Sequence, residues 1–115
     1  MKQVNELLER YDNFKSAQLR SIYKETESSI MVKIVVQDDD GEDINEVKIE
    51  FLDVSSSRIL DNSVLSFMDM MSGISIIKEH DLYAFSIGTC NAIVHAQSAP
   101  LYIISTGVKI EEKAL

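Results

Sequence analysis

In this chain of 115 residues, the side chains able to do covalent chemistry are few. The one cysteine, Cys90, stands five residues before His95, one of two histidines. A thiol and an imidazole can act as nucleophile and base. The pair then needs a third group to orient the imidazole and a positive environment to lower the thiol pKa. The residues between and beside them are Thr89, Asn91, Ala92, Ile93 and Val94, with no basic side chain. This setting points to a buried structural cysteine. His80 lies in a polar stretch next to Asp81 and reads as a surface residue. Two histidines without a CxxC or HExxH spacing do not make a zinc site. Ser55-Ser56-Ser57 lacks the Gly-x-Ser-x-Gly frame of a nucleophile elbow and reads as a loop. Gly41, Gly73, Gly88 and Gly107 are isolated, so no glycine-rich phosphate loop exists. The expectation is a protein that is not an enzyme, with no cofactor and no metal.

The run Asp38-Asp39-Asp40-Gly41-Glu42-Asp43 has the look of a calcium loop. An EF-hand places acids at positions 1, 3 and 5, glycine at 6 and glutamate at 12. With Gly41 at position 6, Val36 and Val47 fall at positions 1 and 12, and both fail. Three readings stay open: a solvated hairpin loop, a non-specific divalent-ion site, and an acidic recognition surface. The third gains from the residues that follow. Glu46 and Glu50 alternate with Val47, Ile49 and Phe51 and so share the outward face of a strand. Loop and strand face could form one negative patch made of Asp38, Asp39, Asp40, Glu42, Asp43, Glu46, Glu50 and Asp53.

Charge is concentrated there. The net charge is −8, and residues 38–81 hold twelve acids against three bases. Nucleic-acid binding normally needs a basic stripe that displaces counterions from phosphates. The chain has none, so direct DNA or RNA binding is not expected. An acidic face suits a basic protein partner, because it speeds association and sets register.

One cysteine permits no intrachain disulfide and fits a reducing compartment. The polar start Met1-Lys2-Gln3-Val4-Asn5-Glu6 is no secretory signal. The longest apolar runs, such as Leu101-Tyr102-Ile103-Ile104, fall far short of the roughly 20 residues of a membrane span. The expectation is a cytoplasmic, bacterial-style protein without a membrane role.

The elements that must carry these residues follow from periodicity. Val4, Leu7, Leu8 and Tyr11 form one apolar stripe of a helix over about residues 2–12, with Asn13 helping to stop it. Residues 17–24 read as a first strand and Ser28-Ser29 as a turn. Ile30, Val32, Ile34 and Val36 mark a second strand, and Glu46 to Phe51 a third. These two are expected to form an antiparallel hairpin. The alternation breaks at Leu52-Asp53-Val54, which a bulge or burial of both faces would explain. Asn62 could cap a short helix to about Ser72, with Gly73 in the position of a C-terminal glycine. Met68, Met70 and Met71 at helical spacing read as core packing before interface. Ile74 to Lys78 and Leu82 to Ile87 flank a turn at Glu79-His80-Asp81, and Gly88 reads as a bulge or bend. Residues 90–95 are apolar and ambiguous. Leu101 to Ser105 and Val108 to Ile110 read as two late strands divided by Gly107. One domain follows, of class α+β: an antiparallel sheet of five to seven strands with one or two helices packed on one face.

Three segments carry a family likeness: Leu19-Arg20-Ser21-Ile22, the hairpin ending in Val47-Lys48-Ile49-Glu50-Phe51-Leu52-Asp53-Val54, and Pro100-Leu101-Tyr102-Ile103-Ile104-Ser105 leading to Val108-Lys109-Ile110-Glu111-Glu112. In these the chain resembles the small bacterial immunity proteins of contact-dependent growth-inhibition and polymorphic toxin systems. The resemblance implies a cytosolic antidote that binds one toxin domain and occludes its active site. Many such toxins are basic nucleases, whose nucleic acid an acidic inhibitor mimics. No functional residue carries over by position, since those families share no common motif. The alternative is a non-catalytic adaptor, secretion chaperone or oligomerising module, marked by an exposed strand edge that pairs between subunits. A small enzyme would show clustered carboxylates in a ligand-sized pocket. Oligomeric state and strand order are not encoded in any local pattern.

Overall fold

The computed structural model describes residues 1–115, the side chain of Ser66 excepted. Two helices, α1 (Lys2–Arg10) and α2 (Ile93–Gln97), accompany six strands. The strands are β1 (Gln18–Lys24), β2 (Ile30–Gln37), β3 (Asp43–Arg58), β4 (Ile74–Glu79), β5 (Leu82–Ile87) and β6 (Tyr102–Ala114). They form one sheet in the order β1-β2-β3-β6-β5-β4, with every neighbouring pair antiparallel. No helix among the described residues is long and apolar enough to cross a membrane. The α+β class expected from periodicity is the class observed.

Period-2 patterning puts Ile30, Val32 and Ile34 of β2 on one face with Val47, Ile49 and Phe51 of β3. Val4, Leu7 and Leu8 of α1 close over that face and complete the main core. The same core takes in Phe85, Leu101 and Ile103. Ala84 and Ile104, one residue out of phase with Phe85 and Ile103, face the other way and pack with Cys90 and Ala96 under α2. The short second helix therefore covers the face opposite α1.

Helix α1 ends in a left-handed turn: Asp12, Asn13 and Phe14 have φ of 51°, 57° and 58°. Left-handed residues with a Cβ cost roughly 1–2 kcal/mol each. The compensation is burial. Phe14 is fully enclosed and stacks on Tyr11 with ring centroids 5.0 Å apart. The helix is pinned to the far end of the chain by Arg10, whose Nη1 donates to both carboxylate oxygens of Glu112 at 2.6 Å. The Tyr11 hydroxyl donates to the same carboxylate at 2.8 Å.

The Arg10 hydrogen bond holds the Glu112 carboxyl below its ordinary range, against the opposing effect of partial burial, and Tyr11 adds to the lowering. A carboxylate depressed in the folded state stabilises the fold above its unfolded pKa, about 4.3. That stabilisation is lost as pH falls through the lower folded value. Glu112→Gln is therefore expected to flatten the acid limb of the stability curve below about pH 4.3. Urea midpoints between neutral and acid pH check this, and an unchanged acid limb would count against the anchor.

Three regions differ from the sequence expectation. Ser55-Ser56-Ser57 is not a loop: it continues β3, where Ser56, Ser57 and Arg58 pair with Ile104, Ile103 and Tyr102. A bulge is present, as a register shift between Val54 and Ser56, with Asp53 at φ 53°. Sixteen straight residues would span about 50 Å at ~3.3 Å each. The molecule measures 40 × 31 × 25 Å, so β3 crosses nearly the whole of it. Second, the helix expected from Asn62 to Ser72 is a 3-10 helix that stops at Phe67. Its cap is Asp61, which accepts from the Ser63 amide, while the Asn62 side-chain Oδ1 accepts the Ile22 amide on the edge of β1. Third, Gly107 does not divide two strands, because β6 runs unbroken from Tyr102 to Ala114.

Candidate functional site

The acidic run caps the β2–β3 hairpin and is built around Asp38. Its Oδ1 accepts the amides of Asp40 (2.9 Å) and Glu42 (3.0 Å), and its own amide donates to the Glu42 carbonyl at 2.9 Å. Gly41, at φ 83°, supplies the left-handed residue that closes the turn. One carboxylate is thus spent on the loop itself, and Asp39, Asp40 and Glu42 are exposed. Asp43 starts β3 and accepts from Gln37 Nε2 at 2.8 Å and from both Arg20 guanidinium nitrogens at 3.4 Å. The Gln37 hydrogen bond first, and Arg20 second, hold its carboxyl below the usual range.

The outward face of β3 is not a continuation of this patch. Across the sheet, Glu46 stands opposite Lys113, Lys48 opposite Glu111, and Glu50 opposite Lys109. On the other side, Lys33 lies opposite Lys48, and the Lys33 and Lys48 ammonium groups each approach Glu46 to 3.8 Å. Glu46 and Glu50 therefore sit in a checkerboard of both signs, where the field of each is locally cancelled. Asp53 lies at the bulge, ten residues along β3 from Asp43 and roughly 30 Å away at ~3.3 Å per residue. Its partner there is the Thr106 hydroxyl. The eight carboxylates separate into an exposed cluster at residues 38–43, a neutralised strand face and an isolated Asp53.

The structure also holds a feature that residue patterning did not reveal. Phe67 is 84 % exposed and Met71 78 % exposed, with Val64 also outside. Met71 lines a groove of about 290 Å³ with Ala17, Leu19, Arg20, Leu65, Met68 and Met70, among others, and Val64 and Phe67 belong to the 3-10 helix that gives Leu65 to it. Asp61 and Asp69, near these residues in the chain, are exposed. Arg20 belongs to both parts: it lines the groove and holds Asp43 at the base of the acidic loop. The three methionines thus divide, with Met70 buried, Met68 half-buried and Met71 in solvent. A signal was available. Val64, Leu65, Phe67, Met68, Met70 and Met71 are too many apolar positions for one helical stripe, so some had to face water.

Cys90 is buried, and its thiol donates to the Ala92 carbonyl (3.1 Å), while His95 is exposed on α2. Among the described residues no three His, Cys, Asp or Glu side chains come together as metal ligands. Among the described residues, the surface therefore carries exposed apolar side chains at Phe67 and Met71 and a carboxylate loop at residues 38–43. Compared with known proteins, the chain matches no family model, no curated protein and no solved structure.

Proposed function

We propose that this protein is a non-catalytic inhibitor of the immunity type, which binds a basic toxin domain, a nuclease by preference, in the bacterial cytoplasm and occludes its active site. The observation that supports this reading is that Arg20 lines the groove that carries the exposed Met71 and also holds Asp43 at the base of the acidic loop, with exposed Phe67 on the 3-10 helix that contributes Leu65 to the groove. Apolar anchors ringed by charge are the usual anatomy of a tight, selective interface. Asp39, Asp40 and Glu42 would meet the Lys and Arg side chains that otherwise hold phosphates, and Phe67 would enter a pocket on the partner. The acids set the speed and register of association, and the buried aromatic sets the lifetime of the complex.

The test is co-purification of the tagged protein from its native host, with mass spectrometry of what accompanies it. A stoichiometric basic domain of a larger secreted protein is expected. Against that partner, Phe67→Ser should weaken binding by about 2 kcal/mol or more, as for hot-spot aromatics. Asp39→Lys with Glu42→Lys should chiefly slow association, and more so at low salt. Both variants should keep the wild-type melting temperature, because the altered side chains are exposed. Recovery of no partner, or affinity indifferent to both changes, would overturn the reading.

A further inference from the structure

The last strand has two halves with different surroundings. From Tyr102 to Ser105, β6 is paired on both sides, by β3 and by β5. Strand β5 begins at Leu82, because the chain turns back at His80 and Asp81, which have φ of 52° and 65°. Beyond Ser105, β6 keeps pairing with β3 as far as Ala114 and, among the described residues, has no paired strand on its other side. An open groove of about 540 Å³ reaches this stretch from the face of the sheet, lined by Met31 of β2, Lys48 and Glu50 of β3 and Val108 to Glu111 of β6, with Gln3. The result is an unpaired row of backbone donors and acceptors in the middle of a sheet, a template for another strand. The other strand with a free side near the candidate site, β1, is partly closed by Asn62, which takes the Ile22 amide.

We propose that this edge pairs with the same edge of a second copy, antiparallel, with Ile110 opposite Ile110. The sequence of the edge selects both the partner and the register. A two-fold axis at Ile110 places Lys109 opposite Glu111 twice and Val108 opposite Glu112 twice. A shift that centres Lys109 sets two lysines face to face, and one that centres Glu111 makes three like-charge pairs, Glu111–Glu111 and a Lys109–Lys113 pair on each side. Centring Glu112 pairs Glu111 with Lys113 twice but puts two carboxylates together on the axis, and centring Val108 brings no charges together, so Ile110 is the centre that gains two opposite-charge pairs with no like pair. Cross-strand pairs of opposite charge stabilise a ladder and like pairs oppose it. Among the described residues, Lys109 and Glu111 lie within 4.0 Å of no opposite charge in their own chain, although Glu50 and Lys48 are their cross-strand neighbours. They are free to serve a partner. Val108 and Ile110 are the half-covered rim of the main core, and a second copy would cover that rim. This surface is distinct from the acidic loop and the Met71 groove, so the proposal does not depend on the immunity reading.

The experiment is sedimentation equilibrium of the full chain and three variants. The wild type should be a dimer. Lys109→Glu and Glu111→Lys each create two like-charge pairs and should weaken dimerisation by about tenfold or more. The double variant restores both intermolecular pairs and should return the dissociation constant to near the wild-type value. The two changes also face like charges on β3 of their own chain, and the double variant keeps both of those, so rescue cannot come from β3. Ile110→Cys in a Cys90→Ala background should cross-link into a disulfide dimer, since directly opposed Cα atoms lie about 4.5–5.5 Å apart, within disulfide reach. Glu112→Cys in that background should not cross-link. A monomeric wild type, a dimer indifferent to the single reversals, or cross-linking at 112 rather than 110 would each overturn the proposal.

Discussion

Gly73→Ala is expected to be among the most damaging single substitutions in this protein, lowering stability by about 3 kcal/mol or more. Two costs act at once. Gly73 has φ 71°, a left-handed conformation that penalises any Cβ. A Cβ placed there would also lie 2.0 Å from the Asn13 carbonyl oxygen, which is backbone and cannot rotate away. Two turns interlock at this point. The Ser16 amide donates to the Met70 carbonyl at 2.9 Å, and the Gly73 amide to the same carbonyl at 3.0 Å. Gly73→Ala must push apart the turn that ends α1 and the segment that enters β4. Because that segment carries Met70 and Met71 and the turn leads into β1, the Met71 groove should be disturbed along with the fold. The check is a denaturant titration beside Gly41→Ala. Gly41 is also left-handed, at φ 83°, but nothing lies within 4 Å of a Cβ there. Equal effects at the two glycines would show that backbone conformation alone matters and that the interlock does not.

Phe51→Ala is expected to cost about 3–5 kcal/mol, the range for emptying an aromatic site in a packed core. Small domains have total stabilities of about 5–15 kcal/mol, so much of the folded population is at risk. Phe51 is fully buried in the middle of β3, between Ile30 on β2 and Val108 on β6. Its ring lies 5.2 Å from that of Phe85 at an interplanar angle of 49°, joining the two halves of the sheet across β6. Phe51→Leu keeps most of the volume and should lose far less. The pairing with Phe85 can be isolated by a double-mutant cycle, in which the coupling between Phe51→Leu and Phe85→Leu should fall near ~1 kcal/mol. Additive losses would remove the ring contact from the account and leave burial alone.

The two substitutions mark different depths of legibility. Phe51 could be assigned to the core from its own strand, since it continues the alternation of Val47 and Ile49. The requirement at Gly73 could not be read in that way. Glycine after an apolar run suggests a helix end, yet the helix stops six residues earlier, at Phe67. The atom that excludes a side chain belongs to Asn13, sixty residues away in the chain. Ser55-Ser56-Ser57 failed for a related reason. Three serines favour loops when nothing pairs with them, but β6 supplies a ladder, and the Ser56 hydroxyl meets that of Tyr102 at 3.1 Å.

Local pattern by itself determined the α1 stripe, the β2–β3 and β4–β5 hairpins and the α+β class, because each depends on contacts between residues close in sequence or on one repeating period. It also determined that the charge gathers at residues 38–43. The tertiary structure alone decided what that charge could do. Strand β6 comes from the end of the chain to lie against β3 and sets Lys109 and Lys113 opposite Glu50 and Glu46, so the strand face that reads acidic in sequence is balanced in space. The same insertion leaves half of β6 open as an edge, and the short path of residues 62–71 along β1 leaves Phe67 and Met71 in water. A strand's partner is chosen by the closing of a loop of some fifty residues, and the energy of that choice is spread over the whole ladder rather than written in any one segment.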